Sequence, residues 1–239
     1  MLGAKSKALM ERLYRDQVDG TTEFYRLIRS RLRPEGYVLD LGCGFGRGET
    51  DVRSESRFVV GCDVGDDVRD NYFVTAKAQG SAYQLPFPDS VFDAVLMDYV
   101  LEHIEQPDKC ASEVFRVLKP GGRLFFRTPN LFHYVALIAF ATPHTFHRRA
   151  LRWTGKCIDL DPFETHYKVN TQRAIRKCFQ AAGFDAEQIC MVEKEPSYLA
   201  FARPALLLGY CYERVVNSSD LLAGLRSNIF ASFRKPCDD

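Results

Sequence analysis

The sequence lacks any Cys-x-x-Cys pair: its eight cysteines, at 43, 62, 110, 157, 178, 190, 211 and 237, stand apart, most of them among apolar neighbours. That spacing excludes a zinc-ligand pattern and a compact disulfide framework, and a reducing cytoplasm is the compartment expected. It also lacks an excess of charge, because 32 Lys and Arg oppose 31 Asp and Glu. A net charge of +1 gives no electrostatic reason to expect nucleic acid as a partner. Long hydrophobic runs are missing too. The longest nearly uncharged one, Leu131 to Thr142, falls far short of the ~20 residues that a bilayer-spanning helix needs. Near the start, Glu11, Arg12, Arg15 and Asp16 interrupt any apolar core of a signal peptide. The five histidines have no carboxylates at ligand spacing, so no metal is expected.

What is present is an ordinary globular composition over 239 residues, 46% hydrophobic and 26% charged, which rules out disorder, collagen and coiled coil as the main architecture. Residues 37–130 form the acidic part, with fifteen carboxylates against ten basic side chains, and would suit a cationic ligand.

Residues 5–33 read as an amphipathic helix, with Leu9, Leu13, Phe24, Leu27, Ile28 and Leu32 near helical spacing until Pro34-Glu35-Gly36 stops the pattern. From Tyr37 the period changes to short apolar runs, Tyr37–Leu41, Phe58–Cys62, Ala94–Met97 and Arg123–Arg127, with a helix at Cys110–Leu118 between the last two. Thr171 caps a further helix whose stripe is Ile175, Cys178, Phe179 and Ala182, and strands follow at Ala186–Val192 and Asn228–Phe233. Strands alternating with helices predict an α/β fold with a doubly wound, mostly parallel sheet. The simplest partition is one domain: an N-terminal helical segment 1–36, a core 37–130, an insertion 131–168, a helix and strand 169–192, a mostly helical insertion 193–226, and a last strand and tail 227–239.

Chemistry is carried by Leu39-Asp40-Leu41-Gly42-Cys43-Gly44-Phe45-Gly46, a glycine loop directly after a strand, where backbone can approach a ligand closely. The dinucleotide fingerprint needs a third glycine three residues after the second. Arg47 or Glu49 stands there, depending on the starting glycine, which disfavours a nicotinamide dinucleotide. Asp63 ends the second strand at the distance where a carboxylate accepts hydrogen bonds from ribose hydroxyls. A nucleoside without a pyrophosphate fits.

These residues, with Leu85-Pro86-Phe87-Pro88-Asp89-Ser90-x-Phe92-Asp93, Leu101-Glu102-His103 and Glu113-x-x-Arg116-Val117-Leu118-Lys119-Pro120-Gly121-Gly122, resemble the class I S-adenosylmethionine-dependent methyltransferases, in particular the small-molecule group that includes quinone-biosynthesis enzymes. The resemblance runs from about Tyr37 to Asn130. It implies a Rossmann-like, seven-stranded sheet with helical insertions over the cleft, and S-adenosylmethionine as cofactor. The cofactor contacts implied are Asp40, Gly42, Cys43, Gly44, Gly46, Asp63, Val64, Ser81, Ala82, Asp98 and Tyr99, with Asp40 near the amino group and Asp63 on the ribose. Two departures stand out. Ser81 occupies a position that is usually acidic, and Gly46–Phe58 is too short and too charged for the first helix, which implies a truncated one.

In such a sheet the ligand sits beyond the carboxyl ends of the strands. His103 and His166 are the candidate general bases for a hydroxyl acceptor, since an imidazole of unperturbed pKa ~6.5 accepts a proton at neutral pH. Asn130, His133 and Tyr167 are the candidate acceptor contacts, and His144 and His147 are read as lid or surface residues. The apolar insertions predict an acceptor that is partly apolar or lipid-linked, with peripheral contact at the inner membrane surface as an open alternative. Oxygen is the expected methylated atom. Nitrogen or carbon, or cofactor binding without transfer, remain as alternatives.

Overall fold

The computed structural model describes residues 4–134, 164–194, 199 and 201–237. Seven strands form one sheet: β1 Tyr37–Leu41, β2 Phe58–Asp63, β3 Ala76–Gln79, β4 Phe92–Asp98, β5 Leu118–Pro129, β6 Asp185–Val192 and β7 Asn228–Arg234, in the order β3-β2-β1-β4-β5-β7-β6. β1 pairs in parallel with both β2 and β4, β2 with β3, and β4 with β5. β7 runs antiparallel to β5: Gly121 N donates to Lys235 O at one end and Asn130 N to Ser227 O at the other. The strand order reverses beside β1, between β2 and β4, and a crevice opens at the carboxyl ends at such a switch point.

Inner strands read as continuous apolar runs because both faces are covered. Leu39, Val95, Leu96, Phe125 and Phe126 are all buried, and Phe126 stacks on Phe179 at 5.0 Å and on Phe233 at 5.9 Å. At the other end of the strands, Asp93 accepts from Tyr37 N (2.9 Å) and Lys119 Nζ (2.7 Å), joining the starts of β1, β4 and β5.

The α-helices among the described residues are α1 Ala4–Tyr14, α2 Gly20–Arg29, α3 Pro107–Val117, α4 Gln172–Ala181 and α5 Arg203–Asn217. The long N-terminal helix read from the sequence is thus two, divided where Asp16, Asp19 and Gly20, poor residues for a helix interior, fall close together. Thr171 caps α4, its hydroxyl oxygen accepting from Ala174 N. β3 was absent from the sequence reading because Ala76-Lys77-Ala78-Gln79 is an edge strand without a large apolar side chain. Between β1 and β2 the described chain has only a 3-10 turn, Gly48–Thr50. Val52 is the one aliphatic side chain in that connection, so there is no stripe to support a longer helix.

Contacts cluster into two compact units. One comprises Met1–Gly20, Pro129–Glu164 and Met191–Asn228; the other comprises Thr21–Thr128, Thr165–Cys190 and Ile229–Asp239, and holds most of the sheet. Most of the 131–168 insertion, with Ile138, His144 and His147, lies outside the described residues. The 193–226 insertion contains α5 and a 3-10 turn at Asp220–Leu225. No helix among the described residues is long and apolar enough to cross a membrane.

Candidate functional site

The glycine loop leaves β1 with three left-handed residues, Gly42, Gly44 and Gly46, at φ 74°, 47° and 71°. A side chain would be strained at each, but their surroundings differ. A Cβ on Gly42 would come within 2.3 Å of Val100 Cγ2, and one on Gly46 within 2.3 Å of Asn71 Oδ1. A Cβ on Gly44 would meet nothing within 4 Å. Only Gly44 therefore opens on space that a ligand can fill; the other two admit close neighbours from β4–α3 and β2–β3. Cys43 turns inward, and burial raises its thiol pKa.

Asp63, at the end of β2, is tied to this loop. Its Oδ2 accepts from Gly44 N and its Oδ1 from Gly65 N, each at 2.8 Å. Each carboxylate oxygen keeps a further lone pair, enough to receive two ribose hydroxyls. The next residue, Val64, is 58% exposed and offers an apolar surface to a base, and Gln79 Nε2 holds its carbonyl at 3.1 Å. Ser81 is engaged in a turn, its hydroxyl oxygen accepting from Tyr83 N at 3.2 Å, so one lone pair and the O–H remain for an adenine. Ala82 lies within that turn.

Three carboxylates, Asp40, Asp63 and Asp98, gather at the ends of adjacent strands. Burial first, then the charges of Asp98 and Asp63, push the Asp40 carboxyl up to about 7. Asp98 is taken by Arg127, whose Nε and Nη2 both donate to it, the latter at 2.9 Å; Tyr25 of α2 adds its hydroxyl at 3.3 Å. Tyr99, in the left-handed region at φ 57°, lies with its ring 4.6 Å from the Arg127 guanidinium. Among the described residues no cationic side chain pairs with Asp40 or Asp63, and a ligand bearing an ammonium and a sulfonium fits that deficit.

The Leu101–His103 turn follows β4. Glu102 is buried; its carboxylate accepts from Thr128 Oγ1 at 3.0 Å, and Thr128 in turn accepts from Asn170 Nδ2 at 2.6 Å. The Glu102 carbonyl accepts from His166 N at 2.7 Å and Tyr167 N at 3.1 Å. Glu102 thereby brings His103 and the His166-Tyr167 segment together, and Tyr167, like Tyr99, has a positive φ, 49°. Non-glycine residues held in that region cluster at functional sites, where surrounding structure must hold them.

Asn130 and His133 fall in the first compact unit. Asn130 is committed to the backbone, donating to Gly224 O (2.7 Å) and Arg226 O (2.8 Å) and accepting from Phe132 N. Buried His133 has its pKa lowered to about 4 by burial, with Nε2 3.7 Å from Glu193. Glu193, next after β6, is pushed up to about 7, mainly by burial. Among the described residues no group of three or more His, Cys, Asp or Glu is set to hold a metal ion. Sequence reasoning missed Tyr25, Asn71, Arg127 and Glu193. Only Glu193 had a usable signal, its position after a strand.

A methyltransferase domain family matches residues 39–126, the span that carries the loop and all three carboxylates. Over that span the chain carries a methyltransferase domain of the class I S-adenosylmethionine-dependent type. It is 38% identical over 112 residues to the ubiquinone/menaquinone biosynthesis C-methyltransferase of Vibrio campbellii, covering 40% of this chain and 42% of that protein. To the demethylmenaquinone methyltransferase of Streptomyces avermitilis it is 29% identical over 147 residues, 59% of this chain and 62% of that one. The chain spans roughly half the length of the first curated relatives it matches, 52% and 42%. In fold it is similar to a SAM-dependent methyltransferase of Methanosarcina mazei, with TM-score 0.60 and 20% identity over 90% of this chain and 99% of that chain.

The raised Asp40 carboxyl predicts a pH dependence of cofactor binding. Protonated, Asp40 would offer no charge to an amino group, so binding there would have to ionise a carboxyl pushed up to about 7. Affinity for S-adenosylhomocysteine should fall about tenfold per pH unit below that value and level off above it. Because the folded pKa lies above the ordinary carboxylate range, Asp40 costs the ligand-free protein stability as pH rises toward 7 and beyond. Asp40→Asn should therefore raise the melting temperature at pH 8 while weakening S-adenosylhomocysteine. Calorimetry at pH 6, 7 and 8 reads the first effect and thermal scans the second; a pH-independent Kd in the parent protein would remove Asp40 from the amino group.

Proposed function

We propose that the chain transfers a methyl group from S-adenosylmethionine to a small-molecule acceptor, and that the atom methylated is a ring carbon activated by a neighbouring hydroxyl. Support for transfer comes from one observation above all: the one open glycine of the loop, Gly44, stands beside two carboxylates that have no cationic partner among the described residues. Support for carbon over the oxygen first read from the sequence comes from relatives bearing the name C-methyltransferase.

The bound cofactor supplies an electrophilic methyl on a sulfonium. Asp63 and the Gly44 backbone orient it, and Asp40 answers its amino group. His103 or His166 takes the proton of the ring hydroxyl, which raises electron density at the adjacent carbon. Transfer would release S-adenosylhomocysteine, and the ring C–H proton would pass to water while the imidazolium returns its own proton to the oxygen, which restores the aromatic system and resets the histidine. Much of the acceleration comes from holding acceptor and methyl in line.

The acceptor in this reading is partly apolar or lipid-linked, and the protein works in the cytoplasm against the inner face of a membrane. Supporting this are Leu207 and Leu208, exposed on α5 between Arg203 and Arg214, and Val215, exposed directly after Arg214. The test uses methyl-labelled cofactor and a panel of hydroxylated naphthalenes and benzenes with and without prenyl tails, with the label located by NMR. Label on a ring carbon, faster turnover when the acceptor is carried in anionic vesicles, and loss of that advantage in Leu208→Asp are expected. Label on oxygen overturns the carbon assignment. Turnover indifferent to vesicles and to Leu208→Asp makes the acceptor a free small molecule. No product with intact S-adenosylhomocysteine binding leaves a binding protein.

A further inference from the structure

A glycine loop that meets a ligand through its backbone needs its peptide groups fixed before the ligand arrives, since ordering them on binding costs affinity. In a doubly wound fold a helix beginning at the loop ordinarily fixes them. Here the loop is followed by the three-residue turn Gly48–Thr50. Such a turn supplies almost no ladder of hydrogen bonds.

Two side chains from elsewhere in the same compact unit hold the segment instead. Asn71, between β2 and β3, is fully buried. Its Nδ2 donates to Cys43 O at 3.3 Å and Gly44 O at 3.2 Å. Its Oδ1 accepts from Phe73 N at 2.9 Å, which fixes the amide the right way round to keep donating. From the other side Arg29 of α2 donates through Nη2 to Glu49 O and Asp51 O, each at 3.0 Å. Gly46 belongs to the same device, because any Cβ there would strike Asn71 Oδ1.

We infer that Asn71 is the positioning residue of the cofactor loop: it fixes the Cys43 and Gly44 peptides so that Gly44 N stays on Asp63 and the open face of Gly44 stays presented to the methionine part of the cofactor. Gly46 is thereby assigned to receiving Asn71, and the loop's order is set by a side chain twenty-seven positions from Gly44 in sequence. The inference rests on the cofactor assignment and is independent of the acceptor.

The experiment measures S-adenosylhomocysteine binding, with no acceptor present. Asn71→Asp keeps the size and the acceptor for Phe73 N but turns the donor facing two carbonyls into a third acceptor; Asn71→Ala leaves room for water. Each should weaken binding about tenfold or more, raise KM for the cofactor, and leave kcat at saturating cofactor near that of the parent. Amide exchange across 43–51 should quicken in the free variants and return to parental rates when saturated with S-adenosylhomocysteine, a recovery that general destabilisation does not give. Binding within twofold of the parent in either folded variant overturns the inference. A measurement on the unaltered protein stands apart from variant folding: ligand-free amides of 43–51 should exchange far more slowly than those of the exposed 65–70 turn, and equal rates overturn it as well.

Discussion

Asp63→Ala should lose about 1.5–3 kcal/mol of S-adenosylhomocysteine affinity, roughly ten- to a hundredfold in Kd. The loss has two sources. The carboxylate proposed to receive the ribose hydroxyls is gone, and so is the acceptor for Gly44 N and Gly65 N, each now bonded at 2.8 Å. Asp63→Asn separates them, because the remaining amide oxygen can keep one backbone bond but not both, and it carries no charge. The order of affinity expected from calorimetry is parent, then Asn, then Ala. An alanine variant that stays folded and binds like the parent would mean that the ribose lies elsewhere.

A larger effect is expected in turnover. Changing His103 or His166 to Gln should cost about 10²–10⁴ in rate for whichever imidazole takes the acceptor's proton, with cofactor affinity unchanged. The backbones of the two are adjacent, because the Glu102 carbonyl holds both His166 N and Tyr167 N while His103 follows it directly. The slowed variant should also lose the parental rise of rate with pH. If both variants keep near-parental turnover from pH 6 to 9, neither imidazole is the base, and Tyr167, beside them at a positive φ, becomes the candidate. The carbon acceptor proposed above makes this test sharp, because a hydroxyl whose proton stays on activates the ring far less than the oxyanion does.

Both predictions concern residues named from the sequence alone. The alternation of short apolar runs with helical stripes was legible because each run lies on one buried strand, and burial imposes its period locally. The glycine loop was legible for the same reason: three residues of positive φ in one turn require glycine whatever surrounds them. Asp63 followed from the loop by chain distance. β3 left no trace, since an edge strand made of Ala, Lys and Gln has no burial to enforce a pattern. The missing first helix was half-legible, as a segment too short and too charged to carry a stripe.

By itself, then, the sequence determined the succession of the buried strands and the glycine loop, because those properties are set by neighbours within a few residues, and it located Asp63 by its distance along the chain from that loop. It could not assign the glycines. Gly42, Gly44 and Gly46 look alike in the chain, yet Val100 fills the space at one, Asn71 at another, and only the middle one is open. Nor could it say which carboxylate stays without a cation. Asp98 takes Arg127, from a neighbouring strand twenty-nine residues on, and leaves Asp40 buried with its pKa raised to about 7. These are contacts between side chains brought together by the sheet. No local period encodes them, and only the register of β4 against β5 and the path of the β2–β3 connection decide them.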